Sequence, residues 1–159
     1  MKKLLSLSIM TLVGFAVMAQ PQVIAHRGFH ATKGSARNSI ASLKEAQKLG
    51  IFGSECDVNL TKDGEILVVH GSMHPDKQTN KEQDIKRVDI QKSSKDEVLA
   101  IKLENGETMP TFDQYLKQTK KDKKTKLIIE IKKHATPQRE TEIVKAVVDK
   151  VAEYGLQEQ

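Results

Sequence analysis

Polar side chains end four apolar runs of this chain, and together they could perform chemistry on a phosphate ester. The runs have the short, β-branched character of buried strands, and α/β enzymes hold their reactive groups at strand ends on one rim of a sheet. The groups here are two imidazoles, three carboxylates, a guanidinium and an ammonium: His26, Arg27, Glu55, Asp57, His70, Glu130 and Lys132. We interpret this set as the inventory of a metal-assisted phosphate-ester hydrolase.

The carboxylates are spaced so that they can share one face of a sheet. Residues two positions apart on a strand point to the same side, which pairs Glu55 with Asp57 and Glu130 with Lys132. If both strands belong to one rim, the three carboxylates converge, and an oxygen-only set favours Ca²⁺ or Mg²⁺ over Zn²⁺. The alternative is that Glu55 and Asp57 are exposed acids on an edge strand.

Two histidines follow apolar strands and precede a glycine, which lets the backbone turn sharply and a ligand approach closely. His26 and His70 could act as acid and base because imidazole titrates near neutral pH, although a single histidine in such a place is more often structural. Arg27 offers a fork of donors for a phosphate, and Lys132 offers a point charge for its oxygens. The other histidines fall in predicted loops, where we expect them to be solvated: His30, His74 and His134.

Strands alternate with helices along the chain, a pattern typical of a largely parallel α/β sheet. A helix capped by Asn38-Ser39 runs to Gly50, and another opens at Thr136-Pro137 and ends at Gly155. An apolar stripe on the second helix comprises Ile143, Val144, Val147, Val148 and Val151. The remaining predicted elements are a helix over residues 110–119, a helical turn at 96–101 and strands at 22–26, 51–60, 66–70, 88–90 and 126–132.

The first 19 residues have the pattern of a secretory signal peptide, with a basic head, an apolar stretch and small residues before position 20. The apolar stretch, 4–17, is shorter than the ~20 residues of a membrane span, and a retained N-terminal anchor is the alternative. We therefore expect cleavage near Ala19 and a soluble, secreted or periplasmic protein without a stable membrane span. Residues 20–159 would form its single domain.

The amino-acid composition argues against a disulfide-stabilised protein and against a nucleic-acid-binding protein. Cys56 is the only cysteine, which excludes an intrachain disulfide, and its place on the strand predicts a buried, unreactive thiol. Without the leader the chain has 24 basic and 21 acidic residues. The densest basic run, 120–126, contains no aromatic residue and predicts a solvated surface rather than a nucleic-acid site.

The chain resembles the glycerophosphodiester phosphodiesterase (GDPD) family. The order and spacing agree from residue 22 to about 155, and the combination of motifs is specific where no single piece would be. The motifs are His26-Arg27-Gly28, Asn38-Ser39, Gly53-Ser54-Glu55-Cys56-Asp57-Val58, Leu60-Thr61-Lys62-Asp63-Gly64, Val68-Val69-His70, Pro110-Thr111-Phe112 and Ile129-Glu130-Ile131-Lys132.

The resemblance implies a fold, a cofactor and a reaction. It implies a TIM (β/α)8 barrel of the phospholipase C-like phosphodiesterase type and hydrolysis of a small glycerophosphodiester to glycerol 3-phosphate and an alcohol. His26 and His70 would act as the general acid and the general base, and which of them has which role stays open. Arg27 and Lys132 would contact the phosphate. A divalent cation, Ca²⁺ or Mg²⁺, would be held by Glu55, Asp57 and Glu130.

Three departures from the family pattern stand out. Arg37 replaces the glutamate that usually precedes the asparagine, and Gly71 replaces the aspartate that usually follows the second histidine. The third is length, since a TIM barrel typically needs ~250 residues and this chain has 159. We therefore expect only the N-terminal half of the barrel, unless two chains pair to complete one.

Two alternative functions remain open from the sequence. The chain could be a non-catalytic, truncated module that keeps the phosphate pocket, or a related phospholipase D-like phosphodiesterase that acts on intact lipids.

Overall fold

A computed structural model describes residues 21–71 and 88–159. Four strands form one sheet: β1 (Ile24–Ala25), β2 (Gly53–Leu60), β3 (Ile66–Val68) and β4 (Lys126–Ile131). The helices are α1 (Ile40–Leu49), α2 (Lys95–Leu99), α3 (Phe112–Thr119) and α4 (Pro137–Glu153). The predicted leader at 1–19 and His74 lie outside the described residues.

The central strand of the sheet is β2. β1 and β4 pair with it in parallel, on opposite sides, and β3 pairs antiparallel with its last residues. The turn between β2 and β3 contains Asp63-Gly64, and Gly64 has φ +86°, a value that favours glycine. All eight residues of β2 are buried. The alternative that Glu55 and Asp57 lie on an exposed edge is therefore wrong.

One face of the sheet is covered by helices. Cys56, Val58 and Leu60 of β2 pack there with Leu43 of α1 and Ile143 of α4. The opposite face of β2 carries the alternate residues, which are Glu55, Asp57 and Asn59. The apolar face thus fixes the strand's register, because a slip of one residue would exchange the two sets.

The ends of the helices follow their sequence signals. The Ser39 hydroxyl accepts a hydrogen bond from the Ser42 N–H at the start of α1, and Gly50 ends that helix with φ +63°. Thr136 caps α4, with Pro137 in its first turn. Such caps satisfy backbone groups that a helix leaves unpaired and are each worth about 1 kcal/mol. The predicted ranges of both helices are confirmed to within two residues.

Two local expectations are wrong. Residues 88–90 do not form a strand; a 3₁₀ helix spans Ile90–Lys92, and the Asp89 side chain caps it, because a short polar residue at this position favours a turn. The apolar stripe predicted on α4 is present and is partly covered, with Ile143 and Val147 buried and Val144 and Val148 exposed. Within the described residues no strand lies on the outer edge of β4 to cover them.

The second wrong expectation concerns His134, which is buried instead of solvated. Its Nε2 accepts a hydrogen bond from the Leu60 N–H at 3.2 Å, and its Nδ1 lies 2.7 Å from the Lys132 carbonyl oxygen. The ring therefore joins the end of β2 to the loop after β4. The sequence showed only a histidine in a polar loop, and this partner is 74 positions away.

No helix in the two described ranges is both long enough and apolar enough to cross a membrane.

Candidate active site

Three carboxylates from two adjacent strands converge on the helix-free face of β2. Asp57 and Glu130 are direct partners in the parallel register of β2 and β4, and Glu55 lies two residues earlier on the same face. One oxygen from each of Glu55, Asp57 and Glu130 lies within 4.8 Å of the other two. The expected convergence is observed, and these oxygens are spaced so that one metal ion can bind all three.

Glu55 is held by the chain that follows β1. Its Oε2 accepts a hydrogen bond from the Arg27 N–H at 2.7 Å, while its buried Oε1 has no hydrogen-bond partner among the described residues. Burial raises the pKa of Glu55, the Arg27 N–H opposes that rise, and the Asp57 charge adds to it. A buried carboxylate oxygen without a donor is the kind of group that a bound cation would satisfy.

Asp57 is fully buried and is the centre of the charged network. Lys132 Nζ lies 2.6 Å from its Oδ1, and Arg27 Nε lies 3.2 Å from its Oδ2. Lys132 Nζ also lies 2.5 Å from Glu130 Oε1. The two cations predicted to bind phosphate therefore sit beside the predicted metal ligands and partly neutralise them.

Asn38 fixes the orientation of Asp57. Its Nδ2 donates to Asp57 Oδ2 at 2.8 Å, and its Oδ1 accepts from the Asp57 N–H at 3.1 Å. Asn38 is itself buried and has φ +58°, a conformation that asparagine tolerates better than most residues. The sequence indicated a helix cap and a family motif here but no partner for Asn38, and the cap hydroxyl comes from Ser39. A positive φ and two hydrogen bonds to a distant strand cannot be recognised from neighbouring residues, so the sequence did not predict that Asn38 would orient Asp57.

The turn after β1 brings His26 and Arg27 over the carboxylates. Arg27 has φ +58° and Gly28 has φ +77°, and a Cβ on Gly28 would lie 2.3 Å from the Ser42 hydroxyl oxygen. Only glycine fits this close approach to α1. His26 Nε2 lies 3.9 Å from Glu55 Oε2, and the imidazole is 67% exposed.

His70 approaches the same group from the end of β3. Burial lowers its pKa; the Asp57 charge opposes this, and the charges of Lys132 and Arg27 add to it. Asn59, on the carboxylate face of β2, positions the backbone around His70 because its Nδ2 donates to both the Val69 and Gly71 carbonyl oxygens, at 2.9 and 3.1 Å. Sequence reasoning missed Asn59, although its alternation with Glu55 and Asp57 could have drawn attention to it.

A family model matches residues 26–159, and its description is the glycerophosphoryl diester phosphodiesterase family. The chain belongs to this family. Its glycerophosphodiester phosphodiesterase relative from Caldanaerobacter subterraneus subsp. tengcongensis is 36% identical over 141 residues, which are 86% of this chain and 54% of the relative.

Solved structures of other family members also match this chain. A glycerophosphodiester phosphodiesterase from Parabacteroides distasonis matches with a TM-score of 0.76 at 42% identity, over 86% of this chain and 53% of that one. An Oleispira antarctica phosphodiesterase, solved with the product sn-glycerol-3-phosphate, matches with a TM-score of 0.61 at 26% identity, over 84% of this chain and 53% of that one. The chain therefore matches about half of the TIM-barrel fold of the GDPD family and spans about half the length of these relatives.

One departure from the family pattern has a visible structural basis. Gly71 stands where the family usually has aspartate, and a Cβ at this position would lie 2.3 Å from Ile90 Cγ1. The 3₁₀ helix that carries Ile90 thus occupies the space that a side chain at position 71 would need. The glycine at position 71 therefore allows Ile90 to pack closely against this part of the backbone.

The site's charges and donor atoms fit a divalent cation. Three carboxylates beside one arginine and one lysine leave one net negative charge. A divalent ion would change this to one net positive charge, which matches the single negative charge of a phosphodiester. The donors are oxygens, as Ca²⁺ and Mg²⁺ prefer, and Glu55 Oε1 has no hydrogen-bond partner among the described residues.

Proposed function

We propose that this protein hydrolyses glycerophosphodiesters to glycerol 3-phosphate and an alcohol, using Ca²⁺ or Mg²⁺ held by Glu55, Asp57 and Glu130. The observation that carries the proposal is the cluster of these three carboxylates beside Arg27 and Lys132. Membership of the GDPD family supports the reaction class. When bound, the cation would neutralise charge on the phosphoryl oxygens and polarise the phosphorus–oxygen bonds.

The protein's own groups supply the rest of the chemistry. Arg27 and Lys132, which lie beside the carboxylates, bind the phosphate through their N–H groups. His26 and His70 act as the acid–base pair, one taking a proton from the nucleophile and the other giving one to the leaving alkoxide. Asn38 keeps the Asp57 carboxylate turned toward these cations. The three carboxylates repel a phosphodiester in the absence of the metal, so we expect strict dependence on a divalent ion.

A direct assay tests the reaction. The purified chain is incubated with glycerophosphocholine and Ca²⁺ or Mg²⁺, and glycerol 3-phosphate is measured. We expect turnover that EDTA abolishes and that His26→Ala reduces by at least about a hundredfold, the usual range for an acid–base group. His30→Ala is the matched control, because this histidine is close in sequence and is proposed to have no role. Turnover that persists in EDTA would contradict the proposal.

A non-catalytic phosphate-binding module is the second candidate, because the chain spans about half of its relatives and Glu130 is half-exposed. Folded protein that binds Ca²⁺ by calorimetry but releases no glycerol 3-phosphate would favour the module. Turnover of a lysophospholipid alone would favour the phospholipase D-like alternative.

We also propose that residues 1–19 direct export and are removed, which makes the protein secreted or periplasmic. The charge and apolar pattern of this segment supports the proposal. Mass spectrometry of the exported protein should find an N-terminus at Gln20. Recovery of the intact chain in the membrane fraction, with Met1 or its successor at the N-terminus, would indicate a retained anchor.

A further inference from the structure

The positive charge of this chain is concentrated in ten residues. The formal net charge is +5, from 26 basic and 21 acidic residues. Residues 117–126 contain six lysines and one aspartate, so the rest of the chain has 20 of each sign and is neutral. An even distribution would give this segment less than one net charge. The excess therefore marks one place on the surface.

Most lysines of this segment form no ion pair with the described residues. Asp122 is used within the loop, where its carboxylate accepts hydrogen bonds from the Lys124 N–H at 2.9 Å and the Thr125 hydroxyl at 3.1 Å. Five exposed lysines of the segment have no ion pair with any described acidic residue. They are Lys117, Lys120, Lys121, Lys123 and Lys124.

Helix α1 adds to this surface. The Gln47 side-chain amide donates to the Gln118 and Thr119 carbonyl oxygens, at 3.2 and 3.3 Å, and Gln118 Nε2 donates back to Gln47 Oε1 at 2.8 Å. These bonds fix the end of α1 against the end of α3. Lys44, one turn earlier, consequently lines the same groove as Lys117 and Lys121. We call Lys44 and the five segment lysines together the lysine surface.

Two exposed apolar side chains lie at the same end of the molecule as the lysine surface. Leu49 is 54% exposed and Phe52 is 36% exposed. Leu49 is the last residue of α1 and Phe52 lies in the connection from α1 to β2, where its carbonyl oxygen accepts a hydrogen bond from the Lys126 N–H at 2.8 Å. This end of the molecule therefore combines basic groups with apolar side chains that the described residues leave in solvent.

The lysine surface lies at the opposite end of the sheet from the candidate active site. Lys126 begins β4 and Glu130 lies near its end, a separation of about 13 Å along the strand. A large partner could cover the lysine surface while the three carboxylates stay open to solution.

We propose that this end of the molecule docks on an anionic lipid bilayer. Lysines attract the headgroup phosphates, and each lysine close to an anionic surface adds to the affinity. Leu49 and Phe52 enter the boundary between headgroups and acyl chains, as apolar residues do in interfacial proteins. Their position at the same end of the molecule as the lysines favours a bilayer over nucleic acid, whose backbone offers them no apolar layer. The docking is independent of the proposed hydrolysis.

Vesicle flotation tests the docking. The chain is mixed with phosphatidylcholine vesicles, with and without phosphatidylglycerol, at low and high salt. Both the whole chain and a form that starts at Gln20 are used, so that binding by the apolar leader can be distinguished from binding by the lysine surface. We expect binding that needs phosphatidylglycerol and weakens with salt.

Two triple variants with the same charge change form the matched pair. Lys120→Gln, Lys123→Gln and Lys124→Gln should together weaken binding about a hundredfold. The control combines Lys62→Gln, Lys92→Gln and Lys145→Gln, three exposed lysines outside the lysine surface, and should bind like the parent. Equal loss in both variants would overturn the proposal, because it would mean that only net charge matters.

A third variant separates a bilayer from a nucleic acid. Leu49→Ser with Phe52→Ser should remove the part of the binding that survives high salt. If this variant binds vesicles as well as the parent, and a DNA duplex competes with the vesicles, the surface serves nucleic acid and the proposal is wrong.

Discussion

Strands β2 and β4 both contribute carboxylates to the candidate site, but they hold them differently. β2 is paired on both sides and entirely buried, and Glu55 and Asp57 accept hydrogen bonds from groups far away in the sequence. β4 has only one strand neighbour within the described residues. Its Glu130 side chain is 52% exposed and interacts mainly with Lys132. One part of the site is thus built into the core, while the other lies at its margin.

Because the two strands hold their carboxylates differently, substitutions in β2 and in β4 should affect stability and ligand binding to different extents. Asp57 is part of a buried ion network, so changing it should affect the fold as well as the ligand. Glu130 forms an ion pair near the surface, where such pairs contribute little to stability. The largest expected effects therefore come from β2 and its supports, and the smallest from β4.

The largest effect is expected for Asp57→Asn. The substitution leaves Arg27 and Lys132 partly buried beside a neutral amide, and removing one partner of a buried pair typically costs about 3–5 kcal/mol. We expect the free energy of unfolding in urea to fall by about 3 kcal/mol, with loss of Ca²⁺ binding in calorimetry. Asp149→Asn is the control, because the ion pair of this exposed aspartate within residues 21–71 and 88–159 is with Lys145, one turn away. Equal losses from both substitutions would contradict the comparison.

A somewhat smaller effect is expected for Asn38→Ala. It removes two hydrogen bonds to Asp57 and leaves the buried Asp57 N–H without its acceptor, which costs about 1–3 kcal/mol. Alanine also disfavours the positive φ by about 1–2 kcal/mol. Asn38→Gly keeps the backbone conformation and loses only the amide, so in urea it should be less destabilising than alanine. If glycine and alanine are equal, backbone strain plays no part here.

His134, which links the end of β2 to the loop after β4, should make the free energy of unfolding depend on pH. Burial lowers the pKa of His134 below its ordinary 6.5, so the folded protein resists a proton that the unfolded chain accepts. This contribution to stability is complete above about pH 6.5 and is lost as the pH falls toward the lowered folded value. We expect urea unfolding to show a shallower acid loss in His134→Gln than in the parent.

The His134→Gln variant should keep part of the acid loss, because burial also lowers the pKa values of His70 and His30. His30→Gln is therefore the comparison variant, since its ring lies away from the junction of β2 and β4. A parent and a His134→Gln variant with identical pH dependence would show that the buried ring is not part of this junction.

The smallest effect on the fold is expected for Glu130→Gln. Its ion pair with Lys132 is half-exposed, so the free energy of unfolding should change by less than about 1 kcal/mol. Ca²⁺ affinity should nevertheless fall clearly in calorimetry, because one of the three charged oxygens is lost. A loss of stability as large as that of Asp57→Asn would place Glu130 in the core network instead.

Local patterns predicted much of this structure correctly. The capping residues and periodicity predicted α1 and α4, and strand alternation predicted that Glu55 and Asp57 would share a face opposite Cys56, whose thiol is buried in the core with a raised pKa. These predictions succeed because the 2-residue and 3.6-residue periods are local properties of the backbone. The same reasoning failed at Ile90–Lys92, where a capping aspartate favoured a helical turn over an apolar pair.

The sequence by itself determined the strands, the helices and the types of chemical group at the strand ends, because these depend on neighbours a few positions apart. Only the tertiary structure decided that Asn38 orients Asp57, that Asn59 positions the turn at His70, that His134 is buried and that Arg27 and Lys132 lie against the carboxylates. Each of these contacts joins distant segments through a side-chain hydrogen bond or ion pair, and its geometry exists only after β2 has been packed between its neighbours.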